Sequence, residues 1–370
     1  MKAPTITRIE VFKLNVGLLA PFRIALGVID CCQNILVRIH SGERIYGLGE
    51  GAPVSFITGE TQATAFQAAK DLAHLLLGKN PLEVEARLWE FDDYLAHNTS
   101  TKCAFDVALH DLLAKRARLP LYALLGGTSR EIHTDNSVGI DDPDEMARQA
   151  VKIKQSGFAA VKVKLGTNRG DDVARIRAIR EAVGEEMIIR IDANQGWDQP
   201  TAVSTLRELA RFDVQYCEQP LAHWDLAGLR EVRQQSPIPI MADESVSDHH
   251  DAFRLASMGA CDYFNIKLAK SGGIHTALKI NAIAEGAGMK CMVGCMFETR
   301  VGLAAAAHLM SARPNIAFAN LDSAFFLAED PVINGVTFDG SRMLLPDVPG
   351  HGADFRQDFL ERMEHFAVAA

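Results

Sequence analysis

The chain has 370 residues, 48% of them hydrophobic and 23% charged, with a net charge of −9. That length suits one large barrel domain plus a smaller one, and the acidic balance excludes a general nucleic-acid or anionic-membrane binder, which needs a basic surface. No apolar run reaches membrane-spanning length, the start MKAPTITRIE lacks the apolar core of a signal peptide, and seven scattered cysteines read as reduced thiols of a cytoplasmic protein.

The first part reads as antiparallel β structure. Residues 5–14 and 35–39 alternate or run apolar, and 46–50 follow a Ser-Gly turn. Residues 21–27 between the first two strands are expected to form a loop. Gly47-Leu48-Gly49-Glu50-Gly51-Ala52 has the spacing of a dinucleotide-binding turn, but Pro53, Ser55 and Thr58-Gly59 do not open the helix such a turn requires. Residues 61–77, 81–96 and 100–118 carry apolar residues at three- and four-residue intervals and are expected to be helices, closed off by Leu119-Pro120 and Gly126-Gly127. Strands followed by helices make residues 1–127 an α+β capping domain.

A βα rhythm follows. Apolar strand candidates lie at 132–138, 159–164, 187–192, 214–218, 238–242, 263–267, 290–293 and 316–319, with amphipathic helices such as 172–183, 200–212, 252–258 and 274–287 between them. About eight repeats of roughly 25 residues predict an α/β fold with a (β/α)8-type barrel over 128–320. Cys291 and Cys295 read as apolar barrel residues rather than zinc ligands, having no further Cys or His pair at zinc-site spacing. The segment 321–370 is polar, punctuated by Pro and Gly, and expected to fold back on the capping domain.

Chemistry in such barrels sits at the C-terminal ends of the strands. In Ala160-Val161-Lys162-Val163-Lys164 the two lysines point to one face. Asp192, Glu218 and Asp243 then follow at intervals of 26 and 25 residues, one βα unit each. Three carboxylates at consecutive strand ends repel one another unless a cation joins them. Hard oxygen ligands without His or Cys suit Mg²⁺, with Mn²⁺ as the alternative. Lys164 precedes this set by one unit and Lys267 follows it by one. Burial, a metal and the neighbouring Lys162 are expected to bring Lys164 and Lys267 closer to neutrality, as general bases require. A metal beside a substrate carboxylate stabilises an enediolate, so one lysine can remove an α-proton and the other return it on the opposite face. The same intermediate also serves elimination or lactone opening, and the strand ends alone do not choose between them.

Lys162-Val163-Lys164, Asp192-Ala193-Asn194, Glu218-Gln219-Pro220, Ala242-Asp243-Glu244-Ser245 and Asn265-Ile266-Lys267 together resemble the enolase superfamily, muconate-lactonizing-enzyme subgroup, over essentially the whole chain. The resemblance implies that Lys164 and Lys267 are the acid/base pair, that Asp192, Glu218 and Asp243 bind Mg²⁺, and that Lys162 touches the substrate carboxylate. It also implies a capping domain that closes over the site, and a homo-oligomer. Residues 54–60, 241–246, 291–299 and Asn320-Leu321-Asp322 are most similar to dipeptide epimerases of the L-Ala-D/L-Glu type. That implies an isomerase whose small-molecule carboxylate substrate is a dipeptide. The Asp-x-Asp that holds the substrate ammonium in that group is here Asn320-x-Asp322. An arginine that grips a substrate glutamate falls at Gly27, with Arg23 as a substitute, so the specificity implied is for a second residue other than Glu. Ser137, Cys295 and Phe297 align with the pocket. The rival implications are a muconate cycloisomerase-like lyase, or an N-acylamino-acid racemase or o-succinylbenzoate synthase-like enzyme.

Overall fold

The computed structural model describes residues 4–42 and 45–370. The expected capping domain thus begins, at residues 1–3, outside the described residues. A long hairpin opens the fold. Strand Arg8–Ile24 pairs antiparallel with Gly27–His40, Tyr46–Gly51 adds beyond it, and the terminal strand His365–Ala369 pairs with the first from the other side. The stretch 21–27, expected as a loop, is mostly strand. Phe22, Arg23 and Ile24 pair with Ile29, Val28 and Gly27, and only Ala25-Leu26 turn. Period-two alternation explains this: Phe22 and Ile24 are buried while Arg23 is exposed.

Helices Gln62–Leu76, Val84–Tyr94 and Thr99–Ala117 cover the sheet. The glycines of Gly47-Leu48-Gly49-Glu50-Gly51 serve helix packing. A Cβ on Gly47, Gly49 or Gly51 would lie 1.9, 2.1 or 2.2 Å from the carbonyl oxygens of Ala108, Ala104 or Ser100 on helix Thr99–Ala117. The start of that helix is capped from outside, by Glu60 accepting from the amides of Ser100 and Thr101 at 2.8 and 3.0 Å.

Eight parallel strands form the second body in sequential order: Asn136–Val138, Ala160–Lys164, Ile188–Asp192, Val214–Glu218, Ile240–Ala242, Tyr263–Lys267, Lys290–Gly294 and Ile316–Asn320. They make a nearly closed barrel. The expected first strand is divided: Ile132–His133 pairs with Arg342–Leu344 outside the barrel, and Asn136–Val138 alone enters the sheet. The break comes where Thr134 and Asp135 join the last strand to the first. Thr134 Oγ1 accepts from the Leu321 amide at 2.8 Å, and the Asp135 amide donates to the Ala319 carbonyl. Helices between strands are stopped at their N-termini by side chains such as Asn168, Asp198, Asp225, Asp248 and Thr299, each accepting from a first-turn amide.

Two carboxylates of the capping body also cap barrel helices. Glu50 accepts from the amides of Thr299 and Gly302 at 2.9 and 3.1 Å, at the start of helix Arg300–Ala312. Asp106 accepts from the amides of Ile274 and His275 at 2.7 and 3.2 Å, at the start of helix Ile274–Gly286. These contacts fix the hairpin over the barrel mouth.

Gly49→Ala tests the strand–helix contact. The added methyl must push the helix carrying Asp106 off the sheet. Overpacking of this kind costs about 1–3 kcal/mol, so the thermal midpoint should fall, whereas Gly17→Ala, which has open space around it, should leave it close to wild type.

Candidate active site

Parallel pairing brings the predicted charges together. Lys164 lies opposite Asp192, and Asp192 opposite Glu218, in the registers of neighbouring strands. One oxygen from each of Asp192, Glu218 and Asp243 lies within 4.8 Å of the others, and all three residues are buried. Among the described residues this is the only such cluster of His, Cys, Asp and Glu.

Lysines surround it. Lys164 Nζ donates to Asp192 Oδ2 at 2.6 Å and Lys267 Nζ to Asp243 Oδ2 at 2.7 Å. Lys162 Nζ is 2.8 Å from Glu218 Oε2 and 3.3 Å from Asp192 Oδ2, and donates to Asn320 Oδ1 at 3.0 Å. Strands two and six stand on opposite sides of an eight-stranded barrel, so Lys164 and Lys267 face each other across the mouth.

Burial opposes charge on the three carboxylates, and the lysines decide which of them keep it. Asp192 is held at about 2 by Lys164 and Lys162, and Asp243 well below the usual carboxylate range by Lys267 and Lys270, in both cases against burial. Glu218 is pushed up to about 7 by burial and by the charge of Asp192. Glu244 beside them is pushed up to about 8 by burial and Asp243. The expectation that Lys267 moves towards neutrality is not met in this structure. Burial works in that direction, but the Asp243 carboxylate overrides it and holds the ammonium above its ordinary value.

The donor set fits a divalent cation. Glu218 Oε2 and Asp243 Oδ1 are buried, with ion pairs from Lys162 and Lys270 beside them at 2.8 and 2.9 Å. Converging buried carboxylates, with burial and then the neighbouring carboxylate charges raising Glu218 and Glu244, suit a hard cation with oxygen ligands.

Comparison with known proteins agrees with this arrangement. Residues 7–126 match the model of the mandelate racemase/muconate lactonizing enzyme N-terminal domain, and 145–359 match the enolase C-terminal domain-like model. The chain belongs to the mandelate racemase/muconate lactonizing enzyme family of the enolase superfamily. It is 41% identical to a D-Ala-D/L-Ala epimerase of Cytophaga hutchinsonii over 98% of this chain and 99% of that one. It is 43% identical to a hydrophobic dipeptide epimerase of Enterococcus faecalis over 92% and 96%. The crystal structure of the Cytophaga hutchinsonii dipeptide epimerase complexed with Mg and D-Ala-L-Val superposes with a TM-score of 0.97, covering 98% of this chain and 100% of that chain at 41% identity.

In this family member Lys164 and Lys267 open onto a cavity at the barrel mouth. Lys164, Lys267, Ser137, Cys295, Phe297, Asn320 and Asp322 all line it. Lys162 does not. It is fully buried, and meeting a substrate carboxylate would require it to give up one of its present partners. Asn320 has both ends engaged: Oδ1 accepts from Lys162, while Nδ2 donates to Asp135 Oδ1 at 2.7 Å and Ser137 Oγ at 3.3 Å. Asp322 is different. Its Oδ1 accepts the Cys295 thiol at 3.7 Å, and its buried Oδ2 has no hydrogen bond of normal length, with the Ser137 hydroxyl nearby. Burial and the nearby Asp135 raise its pKa.

Arg23, the expected substitute for the missing arginine, is exposed and not part of the cavity wall. Its strand neighbours Phe22 and Ile24 are, with Ile29 across the hairpin and Val54 and Ile57 beyond it. The outer cavity is therefore apolar.

Sequence reasoning passed over several residues that build the site. Asn265 Nδ2 holds Glu218 Oε1 at 2.9 Å, and the Asn194 amide holds Asp192 Oδ1 at 2.8 Å. Gln219 Oε1 accepts from the amides of Asp243 and Ser245 at 2.9 and 3.2 Å. Their signal was position: each stands within two residues of a predicted ligand or lysine.

Glu298, behind Lys267, is pushed up to about 8 by burial and by Glu50. A folded-state pKa above the ordinary 4.5 means the folded protein holds the proton more tightly than the unfolded chain. Stability from this group is thus full below pH 4.5 and lost as pH rises to about 8. Glu298→Gln should remove that loss. Its thermal midpoint relative to wild type should rise between pH 5 and 9, by differential scanning calorimetry; a constant difference would contradict the assignment.

Proposed function

We propose that the protein is a divalent-metal-dependent epimerase of dipeptides, acting at the α-carbon beside the C-terminal carboxylate and favouring an apolar residue there. The observation that carries this reading is Asp322 Oδ2, a buried carboxylate oxygen without a hydrogen bond of normal length, on the wall of the cavity between Lys164 and Lys267. A buried anionic oxygen is costly unless a cation meets it, and the free α-ammonium of a dipeptide is such a cation. An amine-free dicarboxylate or an N-acyl amino acid would leave it unpaired, which disfavours the cycloisomerase and acylamino-acid readings. The named activities of the relatives, and Mg with dipeptides in their crystals, support the same substrate class.

Asp192, Glu218 and Asp243 would hold the metal, Mg²⁺ or in its place Mn²⁺. Bound there, it would offset the negative charge that gathers on the substrate carboxylate as the α-proton leaves. The protein's own groups do the rest. Asp322 anchors the ammonium, and the apolar hairpin wall of Phe22, Ile24 and Ile29 excludes water and receives the second side chain. Lys164 takes or gives the proton on one face and Lys267 on the other, so inversion follows from their positions across the barrel. A homo-oligomer and a cytoplasmic location complete the reading; no described helix is long and apolar enough to cross a membrane.

¹H NMR in D₂O with Mg²⁺ and an L-Ala-L-Xaa panel tests it. L-Ala-L-Leu, L-Ala-L-Val or L-Ala-L-Phe should lose the α-proton signal of the second residue and gain diastereomer peaks, with kcat/KM at least ~10-fold above L-Ala-L-Glu, the scale of one apolar contact. Faster turnover of L-Ala-L-Glu would refute the apolar preference.

Asp322→Asn should lower kcat/KM on free dipeptides by about 30- to 150-fold, equivalent to ~2–3 kcal/mol for a lost buried ion pair. It should affect N-acetylated dipeptides little. An equal loss on both would remove Asp322 from ammonium binding.

A further inference from the structure

The ladder between barrel strands five and six stops short of the chemistry. Only Met241 and Ala242 pair with Tyr263 and Phe264, whereas strand six pairs with strand seven along its whole length, from Tyr263 to Lys267. Asp243 and Lys267 both lie beyond the last pair, on strands that no longer hold each other. On its other side Asp243 is fixed by Gln219, which accepts its amide.

A lysine that the proton-transfer scheme does not use fills the open side. Lys270 lies on the single helical turn Leu268–Ser271 that follows strand six. Gly272 and Gly273, with φ of +81° and +115°, reverse the chain after it. The side chain runs back beneath the barrel mouth and is only 2% exposed. Its ammonium donates to the carbonyl oxygens of Asp243, of Val246 at 2.6 Å and of Asn265 at 3.1 Å. Asp243 Oδ1 lies 2.9 Å from the same nitrogen and pairs with its charge.

We propose that Lys270 is a positioning residue. It replaces the missing ladder bonds between strands five and six, and so holds Asp243 and Lys267 in register. Removing it frees the loop 243–246 from strand six and lets Lys267 drift from the α-carbon. Lys164, on strand two, keeps its place. The kinetic part of this inference rests on the epimerase reading; the structural part does not.

Lys270→Met, with Lys270→Gln as a milder variant that keeps two N–H donors, is examined in the Mg²⁺-loaded full-length protein by two measurements. Amide hydrogen exchange in peptides covering 243–248 should rise at least ~10-fold, while helix Gln62–Leu76 of the capping body stays at the wild-type rate. With an L-Ala-L-Xaa substrate in D₂O, inversion should fall at least ~100-fold with KM within ~3-fold. The epimer whose proton faces Lys164 should still exchange it for deuterium with retention, within ~10-fold of wild type, because Lys164 can return a deuteron to the face it took the proton from. A general loosening of the fold would reduce exchange and inversion together. Equal losses of both in both epimers, or unchanged amide exchange at 243–248, would overturn the inference. A wild-type protein that exchanges no dipeptide α-proton would instead sink the substrate reading, and the amide-exchange measurement alone then decides for or against the clamp.

Discussion

Three carboxylates within 4.8 Å of one another inside a barrel are the constraint on which the rest of the structure depends. Left alone they would repel and draw protons, and burial together with the charge of Asp192 raises Glu218. Four lysines, 162, 164, 267 and 270, keep the cluster folded, and their contacts are not interchangeable. Lys164 and Lys267 each donate to one acid and still reach the cavity. Lys162 and Lys270 stand behind. Lys162 reaches Asn320 and lies 2.8 Å from Glu218, and Lys270 holds carbonyls at strands five and six and lies 2.9 Å from Asp243. The rear pair supplies buried positive charge beside Glu218 and Asp243, and the front pair opens onto the cavity.

This division continues into the capping body. The charged groups are carried on barrel strands, which pack on a rigid core, while the apolar wall comes from the hairpin of Arg8–Ile24 and Gly27–His40 and the loop at 54–57. A wall on a separate body could drift. Glu50 and Asp106 prevent it by capping barrel helices with side chains that belong to the cap. Each satisfies amides that their own helices leave unpaired, so undocking would expose unsatisfied groups on both bodies at once. The hairpin side chains can then vary without disturbing the charged groups at the barrel strand ends.

What was legible in the sequence follows from the same physics. Asp192, Glu218 and Asp243 recur at one βα unit, and parallel pairing turns that spacing into adjacency, so the metal cluster could be read before any coordinates. Arg23 was misplaced because Pro21 and Gly27 suggest a loop; the strand continues to Ile24, and alternation turns the arginine to solvent. The raised Lys267 depends on a 2.7 Å contact with Asp243, which spacing cannot supply. Lys270 was invisible for a different reason. Its partners are mainly backbone carbonyls, and these leave no residue-type signature. Similarly, the split of 132–138 into two strands comes from hydrogen bonds to residues 319 and 321, far along the chain.

The replacement of an acid by Asn320 now has a physical reason. Below the metal cluster, Arg190 pairs with Asp135 at 3.0 Å and stacks between Tyr216 and Phe318. Asn320 joins this stack to Lys162, accepting from the lysine at one end and donating to Asp135 at the other. An aspartate there could accept from Lys162 but could not donate to Asp135. It would instead set two buried carboxylates against each other, at a cost well above that of a lost neutral hydrogen bond. The amide removes that repulsion and ties the barrel seam, where the first and last strands meet, to the lysine of strand two. One oxygen of Asp322, Oδ2, is then left buried beside the cavity without a hydrogen bond of normal length. A single positive charge on the ligand is enough to satisfy it, and the remainder of the wall can be apolar.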